Sequence, residues 1–285
     1  MRRAFLLMLL FAGCGSSEAP RVSQTKPKPT PTPGPPILPD KRVVAFYGNP
    51  AADELGILGI GAPDLAGRRL LRQAKAYGKN VQPAMELIAV VANAHPGMDG
   101  LYNRRERNGI IRRYLRAARK VDAILILDIQ PGRSDFFTET LRLQRWLKEP
   151  DVHLALDPEW RIRAGQVPGD VIGTVEAREV NGVSAWLEQL TVRENLPPKL
   201  MVIHQFTHDM IQGRDQLKPR ERVQIVLNAD GFGGREVKIA KYRDFTRGKS
   251  AFHEGFKLFY KEDLNLMRPR EVLRLRPQPD LVVYE

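Results

Sequence analysis

The segment His153-Leu154-Ala155-Leu156-Asp157-Pro158-Glu159-Trp160 sets two carboxylates at i and i+2 directly after an apolar run, with an indole beside them. Residues two apart in a strand project to the same side. Asp157 and Glu159 are therefore expected to converge at a strand's carboxyl end, where the charge of one raises the pKa of the other and keeps a proton available. Such a pair suits acid–base chemistry: one carboxyl protonates a leaving oxygen while the other stabilises positive charge developing at the adjoining carbon.

The elements that would hold this pair read as an alternating series. Near-continuous apolar runs at Val43 to Tyr47, Leu87 to Ala92, Ala123 to Asp128, His153 to Asp157, Leu200 to Phe206, Val223 to Asn228, Phe256 to Tyr260 and Leu281 to Tyr284 predict parallel strands covered on both faces. Helical periodicity falls between them at Pro63 to Tyr77, Tyr102 to Ala118, Asp135 to Leu147, Ala177 to Val192, Asp209 to Leu217, Arg235 to Tyr242 and Arg268 to Leu275. In the second of these, Arg112, Arg113, Arg116 and Arg119 lie opposite the apolar positions and read as a solvated face. Eight strands alternating with helices predict an α/β fold, a (β/α)₈ TIM-like barrel over residues 41–285. An open doubly wound sheet is the alternative if the strand count is lower.

Barrel enzymes place their chemistry at the carboxyl ends of the strands. Those ends carry Tyr47, Asp128, the Asp157/Glu159 pair with Trp160, Gln205 and Asp230. Together they would make an acidic, aromatic-lined pocket of the kind that grips a sugar: ring faces on aromatics, hydroxyls on acids and amides. Each residue also has a plainer role available. Asp157 can cap the turn that Pro158 begins, Asp128 can bond loop amides, Asp230 can serve the turn before Gly231-Phe232-Gly233-Gly234, and Trp160 can cover the barrel mouth.

The strand ending in Asp157-x-Glu159 resembles the Asp-x-Glu motif of the family 18 chitinase-type and family 25 lysozyme-type glycoside hydrolases, both barrel enzymes acting on N-acetylated sugars. The resemblance covers one motif and a topology. It implies that Glu159 is the general acid and that Asp157 positions a substrate acetamido group acting as internal nucleophile; Tyr47, Asp128, Trp160, Gln205 and Asp230 become candidate sugar contacts by location. Where the chitinase pattern has further aspartates upstream, this chain has His153 and Ala155.

The amino-terminal region reads as an address and a tether. Met1-Arg2-Arg3, the apolar run Ala4 to Ala12 and Gly13-Cys14 form a signal peptide over residues 1–13 and resemble a bacterial lipobox, with Cys14 as the lipidated residue. As the single cysteine, Cys14 has no disulfide partner within the chain. Residues 14–40, centred on Lys26-Pro27-Lys28-Pro29-Thr30-Pro31-Thr32-Pro33, have the composition of a disordered, semi-rigid Pro/Thr-rich linker. The net charge of +12, or +10 without Arg2 and Arg3, favours anionic surroundings such as wall polymers or lipid headgroups. An exported chain rarely meets nucleic acid, so that partner is set aside.

Other chemistries are set aside as well. His204 and His208 are four apart, but His204 belongs to a strand run, so the spacing is not that of two metal ligands on a helix. The glycines of Gly56-Ile57-Leu58-Gly59-Ile60-Gly61 do not have dinucleotide-loop spacing, and no Gly-x-Ser-x-Gly occurs. The expectation is a monomeric lipoprotein on the extracytoplasmic face of a bacterial membrane, with no cofactor or metal. Its barrel would cleave an N-acetylated cell-envelope polysaccharide or, alternatively, bind such a glycan without catalysis.

Overall fold

The computed structural model describes residues 34–248 and 250–285. The expected signal peptide, Cys14 and the linker through residue 33 lie outside the described residues. Eight parallel strands close into a TIM-like barrel: β1 (Arg42–Gly48), β2 (Val81–Ala92), β3 (Ile124–Ile129), β4 (Val152–Leu156), β5 (Lys199–Gln205), β6 (Val223–Ala229), β7 (His253–Leu258) and β8 (Leu281–Tyr284). Closure follows from β1 pairing in parallel with both β2 and β8.

The strands read as apolar runs because both faces are buried, against different partners. Outward residues such as Val44, Met85, Leu125, Leu154 and Met201 pack under the helices, while Val43, Ala45, Ala84, Ile126, Ala155, Val202, Val226 and Val283 fill the barrel interior. The same alternation carries polar residues to the interior's upper layer: Tyr47 follows Val43 and Ala45, Asp128 follows Ile124 and Ile126, and His204 follows Leu200 and Val202. The interior is thus largely apolar near the amino ends of the strands, with Gln224 and His153 as polar exceptions, and charged near their carboxyl ends.

The packed chain extends upstream of the expected start at residue 41. Leu38 is buried in the interior cluster with Val43 and Ala45. It is held there by Gln224 of β6, whose Nε2 donates to the Leu38 carbonyl at 2.6 Å and whose Oε1 accepts from the amides of Ile37 and Leu38 at 2.9 and 3.2 Å.

The helices are α1 (Pro63–Lys75), α2 (Asn108–Arg119), α3 (Phe136–Arg142), α4 (Gln144–Leu147), α5 (Ala177–Arg193), α6 (Arg235–Phe245) and α7 (Pro269–Val272). The arginine face of α2 is exposed as expected, and Ile111, Tyr114, Leu115 and Ala118 form its buried face. Several expected boundaries differ. The helix foreseen from Tyr102 begins at Asn108, because Asn103–Arg105 is extended and pairs antiparallel with Val90, Val91 and Ala92 of β2. The helix foreseen over Asp135 to Leu147 is two helices, the first capped by the Asp135 carboxylate accepting from the Thr138 amide at 2.7 Å.

The helix expected over Asp209 to Leu217 is absent. Ile211–Gln212 is extended and pairs with Val175–Glu176, and Gly213 takes a left-handed φ of 69°, so only single turns form on either side. A hollow of about 720 Å³ opens on the barrel flank there, lined by Ile211, Arg214, Phe245, Phe252 and Glu254.

Candidate functional site

At the carboxyl ends of the strands lies a cavity of about 270 Å³ lined by Tyr47, Gln130, Asp157, Glu159, Trp160, Asp230, Lys257 and Glu285, among others. The flank hollow is larger but includes none of these residues. The carboxyl-end cavity is where the acids expected from the strand ends, Asp157, Glu159 and Asp230, come together.

Asp157 and Glu159 both reach it, by a route other than simple strand alternation. β4 ends at Leu156, Asp157 is the residue before a 3-10 turn, and Glu159 is the middle residue of that turn, Pro158–Trp160. Asp157 does not cap the turn with its side chain. One of its oxygens, Oδ2, lies 3.4 Å from the Tyr47 hydroxyl, and the other, Oδ1, is buried without a hydrogen-bond partner. Both acids are pushed up to about 7. For Asp157 the cause is burial first, with the charge of Glu159 adding to it against the pull of His204. For Glu159 it is burial and then the charge of Asp230, against Lys257. The expected like-charge effect within the Asp157/Glu159 pair is joined by one from Asp230, on a different strand end.

Tyr47 ties the floor together. Its hydroxyl donates to Asp128 Oδ2 at 3.0 Å and accepts from Gln130 Nε2 at 3.0 Å, and Gln130 is oriented by its Oε1 accepting from the Ala92 amide at 3.1 Å. Asp128 lies beneath Tyr47, fully buried and not on the cavity wall, and its pKa is raised well above the carboxylate range by burial and by the charge of Asp157. Gln205 faces outward by strand alternation, is buried, and donates to the Thr207 carbonyl at 3.2 Å; it does not line the cavity. Trp160 and Asp230 do line it.

Asp230 belongs to a network that reading the strand ends does not assemble. Lys257 of β7 donates to Asp230 Oδ2 at 3.0 Å, pairs with Glu285 at 2.7 Å, and sits 4.0 Å from the centre of the Tyr47 ring. His204 of β5 places Nδ1 3.1 Å from Asp230 Oδ2 and Nε2 3.0 Å from Glu86 Oε1. Burial alone would raise Asp230, but Lys257 and His204 outweigh it and hold this carboxyl well below its usual range. Burial likewise opposes the charge on His204 and Lys257, yet their acidic partners keep both pKa values well above the ordinary ones.

Asn228 of β6 adds its Nδ2 at 3.1 Å from His204 Nδ1, so Glu86, His204 as a site residue, Asn228, Lys257 and Glu285 are functional candidates beyond the expected set. The signal for two of them is an isolated polar residue inside an apolar strand run, Met85-Glu86-Leu87 and Phe256-Lys257-Leu258, and for His204 it is a polar pair with Gln205 closing such a run. His204 and His208 are not brought together; His208 is exposed and bonds Asp244.

The cavity mouth is built by loops. Gly56, at φ 108°, lets the turn after β1 lie against the Tyr47 carbonyl, where a Cβ would stand 2.5 Å from that oxygen, and this seats Glu54 and Leu55 on the cavity wall. Trp160, Phe206, Phe232 and Phe259 add aromatic surface, and Phe232 is 60% exposed. Among the described residues, no helix is long and apolar enough to cross a membrane. Comparison of the chain with protein-family models, with curated proteins and with solved structures gives no match.

Proposed function

We propose that this barrel is a glycoside hydrolase acting on an N-acetylated cell-envelope polysaccharide, on a chain tethered to the extracytoplasmic face of a bacterial membrane through a lipid on Cys14. The observation that carries the reading is that Asp157 and Glu159 share one aromatic-lined cavity with both pKa values pushed up to about 7. A carboxyl that keeps its proton near neutrality is what protonation of a glycosidic oxygen requires.

In this reading Glu159, at the more open side of the pair, donates its proton to the leaving oxygen. The substrate acetamido oxygen attacks the anomeric carbon, and Asp157 Oδ1, buried and without a partner, accepts from the acetamido N–H and orients it. Glu159, now a carboxylate, then takes a proton from the water that opens the cyclic intermediate. Trp160, Phe206 and Phe232 cover the apolar faces of the sugar rings. The positive surface charge holds the enzyme near anionic wall polymer, and no nucleic acid is involved.

The test is release of soluble fragments from peptidoglycan and from chitin-type oligomers by the full chain, beside Glu159→Gln. Release by the parent and a loss of at least about 100-fold in the variant is the expected result. Binding of glycan by both proteins with release by neither replaces the hydrolase with a carbohydrate-binding barrel.

A further inference from the structure

Below the cavity floor, Glu86, Asp128 and His204 each offer a ligand atom, and these atoms all lie within 4.8 Å of one another. They come from β2, β3 and β5, all fully or almost fully buried. Two oxygens in this cluster, Glu86 Oε2 and Asp128 Oδ1, are buried with no hydrogen-bond partner. Leaving carboxylate oxygens unpaired in the interior is expensive, and buried charges are ordinarily paired or coordinate a metal. The nearby cations do not satisfy them: Lys257 is engaged by Asp230 and Glu285, and the one His204–Glu86 contact uses Oε1.

We infer that Glu86, Asp128 and His204 bind a divalent first-row transition-metal ion, of which Zn²⁺ and Mn²⁺ are the probes. Two carboxylates and one imidazole form a mixed oxygen–nitrogen ligand set, which suits these ions better than Ca²⁺ or Mg²⁺. The second sphere has the form that such sites use. His204 Nδ1 lies 3.1 Å from both Asp230 Oδ2 and Asn228 Nδ2; a proton kept on Nδ1 and donated to Asp230 leaves Nε2 for the metal, and the Tyr47 hydroxyl donates to Asp128 Oδ2 at 3.0 Å. Binding exchanges protons for the ion: the Nε2 proton of His204 and the proton that burial keeps on Asp128 leave to solvent, the Nε2 lone pair and the freed carboxylate go to the metal, and no oxidation state changes. None of the three ligands lines the cavity above, so Tyr47, whose hydroxyl closes the floor over Asp128, must give way for an ion to enter. This site does not rest on the glycosidase reading, since no step there uses Glu86 or His204.

The full chain, treated with chelator and desalted, is titrated with ZnCl₂ and MnCl₂ by calorimetry, and the metal content is measured after a second desalting. The expected result is a single ion per chain, with a Tm that rises with metal concentration. Binding should be lost in Glu86→Gln and His204→Gln, weakened about 10- to 100-fold in Asp230→Asn, and unchanged in His208→Ala. Absence of stoichiometric binding by the parent chain overturns the proposal without reference to any variant. So does stoichiometric binding that persists in both folded ligand variants, or that is lost only in His208→Ala.

Discussion

At the scale of single residues, the site is governed by how burial and neighbours divide one set of acids. Asp230 is held ionised by Lys257 and His204, while Asp157 and Glu159 are pushed towards the protonated form. Two roles, charge and proton donor, thus emerge from residues of the same kind. The division has a consequence for stability. A carboxyl whose folded pKa is raised binds a proton in the native state that the unfolded chain has already lost, so its contribution is fully present below the unfolded value and is lost as pH rises through the folded one. For Glu159, with an ordinary value of 4.5 and a folded value of about 7, the window runs between those two values. Its contribution to the change is on the order of 3 kcal/mol. Denaturant unfolding of the full chain at several pH values should show stability falling across this window, and Glu159→Gln should flatten part of the fall. An unchanged slope in the variant would mean that Glu159 does not hold its proton.

At the scale of elements, the barrel was legible in the sequence and the lower half of the site was not. The apolar runs at Val43, Ala123, Leu200 and Leu281 stand close to where β1, β3, β5 and β8 begin, because parallel strands buried on both faces leave an uninterrupted hydrophobic signature. β2 starts six residues earlier than the Leu87 run, at Val81, since Gln82, Pro83 and Glu86 break the apolar pattern. β7 starts at His253 rather than Phe256, with Glu254 and Gly255 masking its first residues. The interruption of β2 includes Glu86, so one residue that obscured a strand is a residue of the site. Gly255 has a packing reason: a Cβ there would meet Asn228 Oδ1 at 2.5 Å. Asp157 and Glu159 were found by their spacing, although a 3-10 turn rather than strand alternation brings them to the cavity. The helix expected after β5 failed because pairing of Ile211–Gln212 with Val175–Glu176 and the left-handed Gly213 are tertiary and backbone facts that periodicity does not carry.

The amino-terminal segment yields a prediction at the same scale. Leu38 enters the barrel interior at the end opposite the cavity, next to the lower apolar layer, and Gln224 satisfies its backbone groups. Leu38→Ala should destabilise the fold by about 2–5 kcal/mol, the range for emptying a buried leucine site. Equilibrium unfolding measures it. A loss below about 0.5 kcal/mol would show that residues 37–40 are an appendage to the barrel rather than part of its core.

At the scale of the whole molecule, charge is sorted by location. The chain carries +12, yet the chamber at the strand ends gathers Glu86, Asp128, Asp157, Glu159, Asp230 and Glu285 around Lys257 and His204. The excess of cations must therefore lie elsewhere, and α2 displays part of it in Arg112, Arg113 and Arg116, all exposed. The two fields attract different partners: the surface draws anions, whereas the cavity disfavours them and suits neutral or cationic groups. Salt separates the two. Exposed charges lose most of their reach as the screening length shrinks from about 10 Å near 0.1 M salt to about 3 Å near 1 M, while buried pairs are screened much less. Adsorption of the Cys14→Ser chain to anionic vesicles or wall polymer should therefore fall steeply over that range, and changing Arg112, Arg113 and Arg116 to Gln should weaken it at low salt. Cleavage or binding of a neutral N-acetylated oligomer should change little over the same range. Equal salt sensitivity of both measurements would place the glycan on the basic surface rather than in the acidic cavity.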